Sequence, residues 1–491
     1  MFNHWNLRQL SQILFLFLMI NRKSYRIDGS SKSEVVIFIT VFFLVQKDGI
    51  MSYDKLEDII GDSMKIDKRH LLNYSILVPY LILSVIGLIV VYSTTSATLI
   101  QYGANPFASV LNQGVFWIIS LVAILFIYKL KLNFLKNSRT LTMTMMAEVV
   151  LLLIARFFTK TVNGAHGWIV IGPISFQPAE YLKIIIVWYL AFTFARRQEL
   201  ISTYDYQALT KRKWWPSKWS DLKDWRVYSL VMILLVAAQP DLGNAAIIVL
   251  TGLIMYSVSG IGYRWFSAIL TTVTALSTVF LGLIAIVGVD KMGKVPVFGY
   301  VAKRFSAFFN PFNDLSDSGH QLAHSYYAMS NGGWFGRGLG NSIEKAGYLP
   351  EATTDFVFPV VMEELGMIGA CLILALLFFL ILRIMHVGIK AKNPFNSMIA
   401  LGTGGMILMQ TFVNIGGISG LIPSTGVTFP FLSQGGNSVL VLSVAIGFVL
   451  NIDANEKREE IYREAEAELQ AKQRLTQIQE EDNVIDLDSF Y

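Results

Sequence analysis

The sequence predicts an all-α polytopic membrane protein with about ten transmembrane helices and a large extracellular loop between helices seven and eight. Three observations predict it. Hydrophobic residues make up 54% of the chain and charged residues 15%, whereas soluble domains carry about a quarter charged residues. The mean hydropathy is +0.51. Apolar runs close to the roughly 20 residues needed to cross a bilayer recur from Leu71 onward.

The first sixty-three residues fit that pattern poorly. Their apolar runs, Ile13–Ile20 and Val35–Val45, are short for a span and no small-residue cleavage site follows either. Met64–Arg69 reads as a cytoplasmic start, so 1–63 is expected to be a dispensable extension of a membrane domain covering 64–452. The expected spans are 72–95, 112–130, 140–158, 180–197, 226–240, 243–259, 264–289, 358–386, 395–416 and 429–451. The fifth and sixth are short and are separated by Gln239-Pro240-Asp241-Leu242-Gly243, which suits a tilted or broken helix. Residues 453–491 form a charged, helix-prone cytoplasmic tail.

Lys and Arg set the orientation, since they collect in cytoplasmic loops. They precede the first span (Lys65, Lys68, Arg69), join spans two and three (Lys129 to Arg139), and crowd the loop from Arg196 to Arg226. The loops between spans one and two, five and six, and nine and ten have none. Both ends of the core are thus expected in the cytoplasm, with 290–357 as the extracellular loop. The single cysteine, Cys371, excludes an intrachain disulfide framework and a Cys-rich metal site. No P-loop, Rossmann glycine pattern or nucleic-acid motif occurs.

Polar groups concentrate on the expected outer side. Asp355 closes the long loop just before an apolar run, where a carboxylate is costly and usually functional; a helix cap is the competing reading. Glu180 and Lys183 share one face of the fourth span. Asp241 either caps the helix that follows it or belongs to a site. Arg304 and Arg337 stand in a glycine-rich loop suited to an anion. The segment from Gly416 to Ser438, rich in Gly, Pro and Ser, suits irregular backbone walling a cavity. Together these describe an outward polar cavity for a lipid-linked anionic substrate. Glu148, inside the third span, is expected to make a buried hydrogen bond, and Glu363 and Glu364 to support the packing of span eight.

Several motifs then carry a resemblance: Gln177–Lys183, Pro240-Asp241-Leu242-Gly243, Asn331-Gly332-Gly333, Leu349-Pro350-Glu351-Ala352 with Thr354-Asp355-Phe356, Glu363–Gly366 and Ser433–Ser438. In this order they resemble the SEDS family of bacterial shape, elongation, division and sporulation proteins, over about Met64 to Arg458. Ser342–Ala352 and Thr428–Asn437 are most similar to the division branch, in its streptococcal form. The chain departs from the family at Thr353, where a histidine is usual, and at Gln434 and Asn437, where many members have Tyr and Ser.

The resemblance implies a peptidoglycan glycosyltransferase that polymerises lipid II at the septum, with a class B penicillin-binding protein and other division proteins as partners. It implies Asp355 as catalytic base. Lys183, Arg304 and Lys345 are candidates for the pyrophosphate, and Ser433, Gly435 and Gly436 for substrate contact. Glu180 and Asp241 are candidates to orient Lys183 or to hold Mg²⁺ or Mn²⁺; no organic cofactor is expected. A lipid II flippase and a non-catalytic scaffold remain the alternatives.

Overall fold

A computed structural model describes residues 68–159, 167–171, 174–203, 225–260 and 319–488, with isolated positions between 267 and 312. Contacts divide the chain into Met1–His70 and Leu71–Tyr491. Of the first unit only the final turn, from Lys68, is described, so the expected extension 1–63 lies outside the described residues. The expected seventh span, 264–289, and much of the loop after it also lie largely outside them.

The second unit is a helical bundle. Its helices are α1 Tyr74–Gln101, α2 Ala108–Lys129, α3 Ser138–Phe157, α4 Pro178–Thr203, α5 Trp225–Ala237, α6 Leu242–Val258, α7 His320–Gly332, α8 Val357–Lys390, α9 Pro394–Ile418 and α10 Gly436–Asp488. Seven are long and apolar enough to cross a membrane, while α5 and α6 are shorter apolar helices. Nine of the expected spans coincide with helices, and α5 and α6 break at Gln239–Asp241 as their composition suggests. The tail is not separate from the last span: α10 runs unbroken from the bundle to Asp488.

Local chemistry sets the ends that matter for the site. Pro178 opens α4 with Glu180 in its first turn, a favourable place for both. The Asp241 side chain accepts from the Asn244 amide and caps α6. Helix α8 begins at Val357, where Phe358 stacks on Phe429 with ring centroids 4.8 Å apart and planes 9° off parallel. This stacking holds the end of the long loop against the loop between α9 and α10. A short antiparallel hairpin, β1 Ile169–Ile171 and β2 Ile174–Phe176, leads into α4.

Glycine permits the closest approaches. A Cβ on Gly366, within α8, would sit 2.3 Å from the Gly336 nitrogen. At that point α8 departs from helical backbone, with φ 72° and ψ 179°, so the α7–α8 loop lies directly on the helix. One expectation fails here. Glu148 is buried, at 2% exposure, but its Oε1 has no hydrogen-bond partner.

Candidate active site

One end of the bundle gathers the hairpin, the turn between α5 and α6, the segment 337–356 and the loop between α9 and α10. The gathering is done by hydrogen bonds between segments far apart in sequence. Gln434 N–H donates to the Thr353 carbonyl at 2.8 Å. The Ser433 hydroxyl donates to the Thr354 carbonyl at 2.7 Å and accepts from Phe429 N–H at 2.7 Å. Asn437 Nδ2 donates to the Ser175 carbonyl at 2.8 Å. Gln177 Nε2 donates to Asp241 Oδ2 at 3.1 Å.

Asp355 stands in a small pocket lined also by Phe356, Asn414, Gly417, Ile418 and the run Ser424–Val427. Arg304 reaches the same place from the other side, with Nη1 donating to the Ser424 carbonyl at 2.5 Å. Gly426, with φ +75°, separates the loop from both charges: a Cβ there would lie 3.2 Å from Arg304 Nη2 and 3.3 Å from Asp355 Oδ2.

Burial pushes the Asp355 carboxyl up to about 7. The Arg304 guanidinium opposes that shift, while Glu351 and Asp241 add to it. A carboxylate with an affinity for protons near neutrality is suited to general-base work. Asp241 is also raised by burial, which its hydrogen bonds from Asn244 partly offset.

The other candidate cations are placed differently. Lys183 is 1% exposed, with Nζ 2.9 Å from Glu180 Oε2 and donating to Gln410 Oε1 at 3.0 Å. Lys345 is likewise buried, 2.5 Å from Glu364 Oε1 and donating to Ser93 Oγ at 2.8 Å. Neither lines the pocket. Each lysine is enclosed with its own carboxylate, whereas the Arg304 guanidinium meets the loop that carries Gly426. Ser433 and Gly435 tie the loop to its neighbours, the latter through N–H to Gln113 Oε1 at 3.2 Å. Gly436 meets the Phe116 ring, which a Cβ would approach to 2.5 Å.

The divalent-ion expectation was tested against the donor set. No three His, Cys, Asp or Glu side chains gather as a metal site among the described residues. Glu180 faces Lys183, Asp355 faces Arg304, and Asp241 accepts from Gln177 and Asn244. These residues do not fit a metal centre made by protein alone.

Two amides escaped the sequence reading. Gln410 and Asn414 lie one turn apart on α9, facing the loops. Gln410 joins Lys183 to the Thr428 carbonyl, 3.0 Å from its Nε2. Asn414 Nδ2 donates to the Asp355 carbonyl at 2.8 Å and to the Val427 carbonyl at 2.6 Å. Their signal was present: two amides spaced i, i+4 share a face in an otherwise apolar helix. Asn414 Oδ1 is buried without a partner, a state that costs about 1–3 kcal/mol.

The comparisons with known proteins agree with this architecture. The family described as cell cycle protein, FtsW/RodA/SpoVE, matches residues 74–458. The Lactococcus lactis protein named "Probable peptidoglycan glycosyltransferase FtsW" is 50% identical over 405 residues, 81% of this chain and 96% of the relative. An Enterococcus hirae protein of the same name is 36% identical over 400 residues, 80% of this chain and 94% of the relative. A chain from a peptidoglycan synthase complex described as coordinating polymerization and crosslinking shares the fold, with TM-score 0.59 and 22% identity over 78% of this chain and 98% of that one. With a family match across its whole helical core and relatives of this similarity, the chain belongs to the FtsW/RodA/SpoVE (SEDS) family.

Proposed function

We infer that this protein is a peptidoglycan glycosyltransferase that polymerises lipid II during septal wall synthesis. The observation that carries the reading is the Asp355–Arg304 pair in its pocket: a base poised near neutrality beside a fixed cation, at the bundle end where the loops converge. The relatives' name supplies the reaction, and the residues supply a route for it.

The 4-hydroxyl of one N-acetylglucosamine attacks the anomeric carbon of a muramyl unit. A C–O bond forms to the hydroxyl oxygen, and the bond from the anomeric carbon to the pyrophosphate oxygen breaks. The hydroxyl proton passes to the Asp355 carboxylate, and undecaprenyl pyrophosphate leaves with the electron pair. Arg304 stabilises the charge that develops on the leaving group. Mg²⁺ or Mn²⁺ enters this proposal only as a counter-ion carried by the pyrophosphate, which needs few protein ligands.

Charge placement in the sequence supports a pocket on the outer face, with both ends of the core in the cytoplasm. There the undecaprenyl tail stays in the bilayer while the sugars reach the loops. A class B penicillin-binding protein is the proposed partner and the septum the proposed place of action, as the division-type relatives suggest.

The test is polymerisation of lipid II by the full chain reconstituted with its cognate transpeptidase, with penicillin present so that only glycan strands are read. Wild type should make strands. Asp355→Asn should make none while inserting normally, a loss of about 10²–10⁴ in rate. Strands from the variant would remove Asp355 from the chemistry. None from wild type, with a control polymerase active on the same substrate, would leave the flippase or scaffold readings.

A further inference from the structure

The pocket contains an acceptor that the mechanism above does not use. Asn414 is 3% exposed and lines the pocket beside Asp355. The orientation of its amide is settled by its neighbours. Nδ2 meets two backbone carbonyls, those of Asp355 and Val427. Carbonyl oxygens only accept, so the nitrogen must face them and the oxygen must face elsewhere. That oxygen, Oδ1, finds no donor in the protein.

Its place in the fold narrows the ligand. The two carbonyls bracket the pocket: one belongs to the catalytic residue, the other to the loop that carries Gly426. On the polymerase reading, Asn414 thereby sits beside the reacting sugar, and it offers a neutral acceptor. Carboxylate and pyrophosphate oxygens are excluded as its partners because they too are acceptors. On the sugar rings, which lie next to the reacting bond, the groups that donate are hydroxyls and the acetamido N–H. The hydroxyl that reacts is directed to Asp355. The acetamido group is planar and carries its N–H on the carbon next to the glycosidic centre, so it suits an amide wall.

We propose that Asn414 is a substrate-binding residue of the polymerase site, whose Oδ1 accepts a hydrogen bond from the 2-acetamido N–H of a bound amino sugar while its Nδ2 fixes the backbone of Asp355. The assignment rests on the polymerase reading and extends it to recognition of N-acetylated sugars. Buried amides that meet a ligand donor give selectivity because an analogue lacking that donor leaves them unpaired.

The experiment is a two-by-two comparison in the reconstituted full complex. Lipid II is compared with an analogue bearing 2-O-acetyl esters in place of the acetamido groups, which keeps the shape and removes the N–H. Wild type should prefer lipid II by about tenfold in kcat/KM, the effect of one neutral hydrogen bond. Asn414→Leu should turn over the two substrates equally, however slow it is. Should Asn414→Leu fail to insert, Asn414→Ser is the second variant, with the same expected equality. A wild type indifferent to the replacement, or a variant as selective as wild type, would overturn the assignment alone. A wild type inactive on lipid II would overturn the polymerase reading and this one with it.

Discussion

Two regions of this molecule hold carboxylates at the boundary of the helical bundle, and they are built in opposite ways. Around Glu364 every charge is answered. Ser93 donates to both of its oxygens, at 2.6 and 2.8 Å, and Lys345 closes the cluster. Glu363 next to it accepts from Asn331, Ser342 and the amides of Ile343 and Glu344. Around Asp355 the partners are fewer and a neighbouring amide oxygen is left unpaired. The first region ties α1, α8 and the long loop together. The second leaves hydrogen-bonding capacity that no protein donor meets. A buried carboxylate here reads as framework where its partners are complete, as at Glu364, and as a candidate for chemistry where they are not, as at Asp355.

The sharpest break of that comparison is a matched pair of isosteric changes. Glu364→Gln leaves the Lys345 ammonium enclosed without a counter-charge, and breaking such a pair costs about 3–5 kcal/mol. Asp355→Asn should act in the other direction. The raised pKa means that Asp355 contributes most to folding when protonated. Its contribution is fully present below the ordinary carboxylate value and is lost as pH rises through about 7. At pH 8 the neutral amide should therefore melt above wild type in detergent, with the gain shrinking as pH falls towards 5. If both variants melted lower at pH 8, the distinction between frame and pocket would collapse.

Much of this arrangement was legible in the sequence. Nine helices follow from apolar run length, and Pro178, Asp241 and the Gln239–Asp241 break mark their ends. Asp355 stood out because a carboxylate precedes an apolar run. What escaped depends on tertiary partners. Lys183 and Lys345 read as available cations because sequence does not show that Gln410 or Ser93 will close over them. Asn414 carried a signal in its i, i+4 spacing from Gln410, but what it serves shows only once both carbonyls are in place. The unbroken α10 was missed for a simpler reason: a change from apolar to charged composition marks the membrane surface, not the end of a helix.

A second prediction measures the coupling within the pocket. The proposed base role requires Asp355 to be deprotonated, so the rate should rise with pH and level off above about 7. Below that point it should fall about tenfold per pH unit. Arg304 holds the value down, so Arg304→Met should move the acidic limb to higher pH and lower the plateau as well, through loss of charge stabilisation at the leaving group. Lys345→Met, in the frame, should reduce stability and leave the limb where it is. A limb that moved equally in both variants would mean that the pocket senses overall charge and not the adjacent guanidinium.

The smallest expected effect separates backbone strain from active-site geometry. Gly426 and Gly347 both have positive φ, +75° and +103°, but only Gly426 has charged neighbours at its Cβ position. Alanine at either should cost about 1–2 kcal/mol of stability, the price of a left-handed backbone for an L-residue. Gly347→Ala meets nothing within 4 Å, so its rate should match wild type once the folded fraction is equal. Gly426→Ala would need Arg304 Nη2 and Asp355 Oδ2 to give by a few tenths of an ångström. Displacement of about 1 Å costs roughly 10²-fold in well-ordered sites, so about three- to tenfold is expected, in kcat more than in KM. Equal rates for the two alanine variants would show that the pocket tolerates movement of its charges, and that the carboxylate and guanidinium need not hold the spacing that Gly426 permits.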